Sequence, residues 1–170
     1  IFNIFEKYSI KYFFYIGGND SMDTVAKLNQ YAKNKNINLT VMGIPKTIDN
    51  DLMVTDHSPG FASAAKYIAT SVMEVTLDAR VYERKNVHLI EVMGRHAGWL
   101  AAASALAGET GLATPDLIYF PELPFTIDKF IEDLKKKAEE KDNIIVVVSE
   151  GIKDPEGNYI SASASSKHDQ

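Results

Sequence analysis

The strongest constraint on the fold is a series of five short, almost unbroken apolar runs, separated by stretches whose apolar residues recur at helical spacing. The runs are Tyr12 to Ile16, Leu39 to Gly43, Val87 to Val92, Leu117 to Phe120 and Ile144 to Ser149. Runs of this length without strict alternation suit strands covered on both faces. Between them, Met22 to Asn34 places Val25, Leu28 and Ala32 on one face, and Phe61 to Asp78 does so with Phe61, Ala65, Ile68, Val72 and Val75. Ala97 to Ala107 is alanine-rich around Trp99, Leu100 and Leu106, so it can approach a sheet closely. Ile127 to Glu140 repeats Ile127, Phe130, Ile131, Leu134 and Ala138 at helical spacing, and Ile1 to Lys7 reads as the end of one more helix. Strand-helix alternation with short connections predicts an α/β fold. We expect a three-layer α/β/α arrangement around one mostly parallel sheet, with Rossmann-type layers.

Composition narrows the function classes. There is no cysteine, which excludes disulfides and thiolate metal sites and fits a reducing, cytoplasmic setting. The net charge of −5 and the lack of a basic stripe argue against nucleic acid. Lys135, Lys136 and Lys137 are flanked by Glu132, Asp133, Glu139 and Glu140, the pattern of a solvated helix face. No apolar run approaches the roughly 20 residues that span a bilayer, so no membrane role is expected. The chain opens on Ile1 without a signal-peptide pattern and closes on a polar, serine-rich tail, Ser161 to Gln170. It reads as an internal piece of a longer chain. The Ile44 to Pro59 loop is long for a strand-to-helix connection, as functional loops are, and a hinge is expected near Pro59-Gly60. That assigns residues 1–60 to one domain and 61–170 to another.

In open α/β sheets ligands bind beyond the carboxyl ends of the strands, so the residues that follow each run matter most. The first is followed by Gly17-Gly18-Asn19-Asp20-Ser21. Here two glycines allow close backbone approach and a helix start offers N–H groups to an anion. A tight turn with Asp20 or Ser21 capping the helix is the structural alternative. The second leads into Pro45-Lys46-Thr47-Ile48-Asp49-Asn50-Asp51. Phosphoryl transfer needs a carboxylate for the attacking hydroxyl, Mg2+ on the phosphate oxygens and a cation against developing charge. Asp49 suits the first role, Asp51 a metal or structural one, and Lys46 the third. An Asx-turn with solvated charges competes with that reading. The third run ends at Met93-Gly94-Arg95-His96, where a guanidinium beside a helix start suits phosphate. A structural arginine is the alternative, and His96 carries little weight alone. The fifth ends at Glu150-Gly151, a carboxylate placed for sugar hydroxyls.

Gly-Gly-Asn-Asp-Ser, Pro-Lys-Thr-Ile-Asp-Asn-Asp, Ile-Glu-Val-Met-Gly-Arg and Ser-Glu-Gly, in this order and at these intervals, resemble the 6-phosphofructokinase family. The resemblance covers essentially the whole chain and implies a phosphofructokinase-like fold. It implies that Asp49 takes the proton from the 1-hydroxyl of fructose 6-phosphate, with Lys46 and Thr47 as catalytic neighbours. Thr47, Ile48, Asp49, Met93, Gly94, Arg95 and Glu150 would contact the sugar phosphate. Gly17, Gly18, Asp20, Ser21 and Lys46 would face the phosphoryl donor. Asn19 stands where the family usually has an aspartate at the Mg2+ site, so Asp20 or Asp51 would take a larger share of the metal.

Two positions speak to the donor. ATP-dependent members typically have glycine where this chain has Asp20 and Lys46. An aspartate at the first crowds and repels a nucleotide α-phosphate, and a lysine at the second neutralises a pyrophosphate leaving group. Both resemble the pyrophosphate-dependent branch, which implies a reversible step in carbohydrate metabolism (glycolysis and gluconeogenesis). The alternatives are an ATP-dependent enzyme, or a chain that only binds sugar phosphate or a partner subunit without turnover. Asn86 stands where the family often supplies an arginine to a neighbouring subunit, with Arg84 and Lys85 just before it, so that role is not assigned. The family's amino-terminal donor loop and carboxyl-terminal phosphate contacts are not in this sequence. Family members are dimers or tetramers, so a homo-oligomer is expected.

Overall fold

In a computed structural model, residues 1–111 and 114–161 are described, so the tail from residue 162 lies outside the described residues. The chain forms two compact units, Ile1–Thr47 and Ile48–Gln170. The first is built on β1 (Tyr12–Gly17) and β2 (Thr40–Pro45), paired parallel from Tyr12 opposite Thr40 to Gly17 opposite Pro45. Helices α1 (Phe2–Lys7) and α2 (Asn19–Asn34) pack on the pair. Phe5 meets Phe13 at 5.1 Å between ring centroids, and Phe2 stacks on Tyr31 at 4.4 Å. Val25, Ala32 and Val41 are buried, and Asn29 Nδ2 donates to the Val41 carbonyl at 2.9 Å.

The second unit holds a parallel sheet of β3 (Asn86–Val92), β4 (Leu117–Tyr119) and β5 (Asn143–Ser149), in the order β3-β5-β4. Its other elements are α3 (Phe61–Ala79), α4 (Trp99–Ala103), which continues as a 3-10 stretch Ser104–Thr110, and α5 (Ile127–Glu140). On one face Ile145 and Val147 join Val72 and Ala79 of α3 and Leu100 and Ala101 of α4 in the main core. On the other, Val148 packs with Phe125 and Ile152, against Tyr119 and Phe130 of α5. Thr126 caps α5 by accepting from the Lys129 N–H at 3.2 Å. Helices thus flank both faces of β5, and the expected α/β/α layering with parallel strands is present.

Two expectations change. The strands form two sheets, not one, because β1 and β2 pair only with each other while β5 takes β3 and β4 on its two edges. Near-continuous apolar runs do not all mean double burial. Ile144 to Val148 is buried throughout, but Tyr12, Phe14 and Ile16 are 69%, 57% and 66% exposed, and Val87 and Leu89 are 50% and 59% exposed. In β1 and β3 these residues alternate onto a face that no described helix covers. In sequence the two compact units part between Thr47 and Ile48. Ile48 packs against the main core of the second unit, which draws the long loop to that side. No described helix is long and apolar enough to cross a membrane.

Candidate active site

The long loop is organised by Asn50. It is 7% exposed and sits at φ +57°, the left-handed region that asparagine tolerates better than most residues. Its Nδ2 donates to the Asp56 carbonyl at 3.1 Å, and its Oδ1 accepts from the Ser58 N–H at 2.8 Å. One amide thus closes the loop on itself. Val54 also takes φ +57°, a costly conformation for a β-branched residue, held within the closed loop. Asp49 and Asp51 flank the clamp, Asp49 half-buried and Asp51 exposed.

Asp49 is where the electrostatics converge. Partial burial lifts its pKa above the ordinary carboxylate value, and the charges of Asp51 and Glu150 push the same way. His96 and Arg95 act against the rise. The loop after β2, the turn after β3 and the end of β5 therefore bring Asp51, Arg95, His96 and Glu150 close enough to act on Asp49. A carboxylate raised in this way holds a proton more readily than a solvated one, which suits proton transfer from a hydroxyl.

The turn after β3 has its own logic. Gly94 takes φ +119°, and a Cβ there would lie 2.5 Å from the Ala97 carbonyl oxygen. Only glycine fits this turn without strain. It aims Arg95 and His96 outward, both exposed. His96 Nδ1 lies 3.4 Å from the Tyr159 hydroxyl, and Lys153 Nζ sits 4.8 Å over the Tyr159 ring. The Glu122 carboxylate accepts from the Gly98 N–H at 2.7 Å, placing negative charge at the start of α4. Ile48 and Met93 line an apolar cavity of about 400 Å³ with Tyr67, Ile90 and Leu100. Glu150 lines another, of about 270 Å³, with Glu91 and Tyr119.

In the first unit, Lys46 N–H continues the β1–β2 ladder by donating to the Gly17 carbonyl at 3.0 Å. The Gly18 carbonyl accepts the first bond of α2, from Met22 N–H at 3.0 Å. Gly18 is the N-cap, and it has no side-chain cap bond. Asn19, Asp20 and Ser21 lie inside the first turn of α2, which starts three residues before the Met22 expected from periodicity. Asp20 and Ser21 are therefore not N-caps. A Cβ on Gly17 would collide with Ser21 Oγ, so the turn is tight.

Among the described residues no three His, Asp or Glu side chains converge closely enough to hold a metal ion alone. Asp51 and Glu150 act on Asp49 through their charge. Asn19, Asp20 and Asp51, all exposed, supply oxygen donors of the kind a hard, largely hydrated Mg2+ takes.

Periodicity and motif spacing located the charged groups but missed the residues that hold them: Asn50, Ser149, Gly151 and Glu122. The position of Asn50 between two aspartates and that of Gly151 after Glu150 were the available signals.

Both parallel α/β units carry glycine-bearing turns at their strand ends, and the second holds an aspartate whose pKa is raised. The phosphofructokinase family model matches residues 1–170, and the chain belongs to that family. It is 47% identical over 160 residues to a pyrophosphate–fructose 6-phosphate 1-phosphotransferase of Rhodospirillum rubrum, covering 94% of this chain and 39% of that protein. It is 42% identical over 165 residues to the enzyme so named in Halomonas elongata, covering 96% and 39%. A pyrophosphate-dependent phosphofructokinase structure from Nitrosospira multiformis superposes with a TM-score of 0.80 at 39% identity, over 96% of this chain and 42% of that one. The chain thus spans about two fifths of the curated relatives, at 39% of their length.

Replacing Asn50 by alanine removes both clamp bonds and leaves a left-handed residue without its amide. Denaturant unfolding of the full-length protein should show a loss of about 1–3 kcal/mol.

Proposed function

We propose that the full-length protein carrying this chain transfers a phosphoryl group from pyrophosphate to the 1-hydroxyl of fructose 6-phosphate. The hydroxyl oxygen attacks one phosphorus of pyrophosphate and the bridging P–O bond breaks. Phosphate leaves and fructose 1,6-bisphosphate forms. Asp49 accepts the hydroxyl proton. The observation that carries this reading is the raised carboxyl of Asp49, set among Asp51, Glu150, Arg95 and His96.

The other roles follow from chemistry. Arg95 pairs with the sugar phosphate, and Glu150 accepts from sugar hydroxyls. Gly94 gives the turn its close approach. Thr47, two residues before Asp49, offers a hydroxyl to the substrate. Ile48 and Met93 contribute backbone, since their side chains face an apolar cavity. Gly17, Gly18 and Ser21 form the anion-receiving start of α2, and Lys46 offsets the charge of the leaving phosphate. Asp20 excludes the extra phosphate and nucleoside of ATP. Asn19, Asp20 and Asp51 are the residues that would hold Mg2+, which would supply positive charge against the phosphate oxygens. Residues 1–60 belong to a donor-binding domain and 61–170 to a sugar-phosphate-binding one, in a cytoplasmic homodimer or homotetramer. Residues 1–170 alone would bind sugar phosphate without appreciable turnover. An ATP-dependent enzyme is the second reading of the same site.

The deciding assay offers fructose 6-phosphate with either pyrophosphate or ATP and measures fructose 1,6-bisphosphate. Pyrophosphate should be the better donor; a preference for ATP would overturn the reading of Asp20 and Lys46. Asp49→Ser should lower kcat about 10²–10⁴-fold, and a change within a few-fold would remove Asp49 from proton transfer. Asp20→Gly should admit ATP as a donor while pyrophosphate turnover persists, as read by the ratio of kcat/KM for the two.

Since the base must be ionised and its pKa is raised, the acid limb of kcat/KM should lie above the ordinary carboxylate range of about 4. Asp51→Asn removes a like charge, so Asp49 should ionise at lower pH and the limb should move acidward. The shift covers only part of the rise, because burial is its larger cause.

A further inference from the structure

The end of β5 and the turn after β3 are locked together through a single hydroxyl. Ser149 is 1% exposed. Its Oγ donates to the Gly94 carbonyl at 2.7 Å and accepts from the Gly151 N–H at 3.0 Å. The donor and one lone pair of the hydroxyl are therefore both used, one in each loop. The β3–β5 pairing runs on past the strand, with Glu150 N–H donating to the Val92 carbonyl at 2.9 Å. Gly151 lies against the backbone of Arg95. A Cβ there would collide with the Arg95 carbonyl oxygen and fall 2.8 Å from its Cα. Arg95 thus immediately follows Gly94, and Glu150 lies between Ser149 and Gly151, so each adjoins a group that Ser149 bonds.

We propose that Ser149 is a positioning residue that sets the spacing of Arg95 and Glu150, with glycine at 151 required for the two loops to touch backbone to backbone. This rests on the reading of Arg95 and Glu150 as contacts to the sugar phosphate. Ser149 need not touch substrate. Without its hydroxyl the Gly94 carbonyl and the Gly151 N–H lose their shared partner in a place closed to water, and the two loops separate to find others. The groups that then move are the sugar-phosphate ones. The donor-facing residues Gly17 to Ser21 and Lys46 belong to the other compact unit and make no bond to Ser149 among the described contacts.

The test is a split between the two substrates in the full-length protein. Wild-type turnover of fructose 6-phosphate with pyrophosphate or ATP is measured first, and its absence defeats the functional reading independently of Ser149. Given wild-type turnover, Ser149→Ala should raise KM for fructose 6-phosphate about tenfold, the effect of losing about one net hydrogen bond. KM for the phosphoryl donor should stay within twofold. Ser149→Thr, which keeps the hydroxyl, should recover most of the loss. Ser149→Cys keeps the shape with a weaker donor and should fall between serine and alanine; it serves if the alanine variant does not fold. Unchanged KM in the folded variants would overturn the proposal. So would equal rises in both KM values, or a drop in thermal stability with both KM values intact.

Discussion

Strand β5 is the constraint on which the larger unit depends. It is hydrogen-bonded on both edges, to β3 and β4, and its apolar residues are buried on both faces. A strand so enclosed cannot slide by one residue without turning Ile145 and Val147 out of one core and Val148 out of the other. Its carboxyl end is therefore fixed in space. Ser149 and Gly151, at that end, carry the fixity to the turn after β3. The precision of the charged groups derives from apolar packing several residues away.

The loop holding Asp49 reaches the same neighbourhood by a different device. Ile48 anchors it in the core and Asn50 closes it by two hydrogen bonds. Asp49 lies between the anchor and the clamp, where its backbone has little freedom. Its surroundings oppose one another: burial and two carboxylates favour the protonated form, and Arg95 and His96 favour the ionised one. The net outcome is a pKa above the ordinary carboxylate value. A fully buried carboxylate beside the same neighbours would hold its proton too tightly to take another.

Much of this was legible in the sequence. All five strands and the helices α1, α3 and α5 fall within a residue or two of where periodicity puts them, because their apolar spacing is set by local geometry. Helix α2 starts three residues earlier. What could not be read was partnership. Tyr12, Phe14 and Ile16 look like Ile144 to Val148 as a string, yet one run is half exposed and the other enclosed. Whether a sheet face is covered depends on elements distant in the chain. The Ala97 to Ala107 segment breaks into a short α-helix and a 3-10 stretch, since alanine suits either. For the site, charged residues advertised themselves while their supports did not. Nothing in the letters Ser149 or Asn50 reveals a bridging hydroxyl or a clamping amide.

The half-covered sheets have a consequence for how this chain behaves in water. Tyr12, Phe14, Ile16, Val87 and Leu89 present aromatic and branched side chains in the alternating rows that a second layer would fill. Each square ångström of such surface left wet forgoes about 25 cal/mol. The exposed rows also belong to β1 and β3, both at sheet edges. Adhesive faces and open edges on the same strands make self-association at rising concentration the physical counterpart of a fold whose charged site is already well ordered.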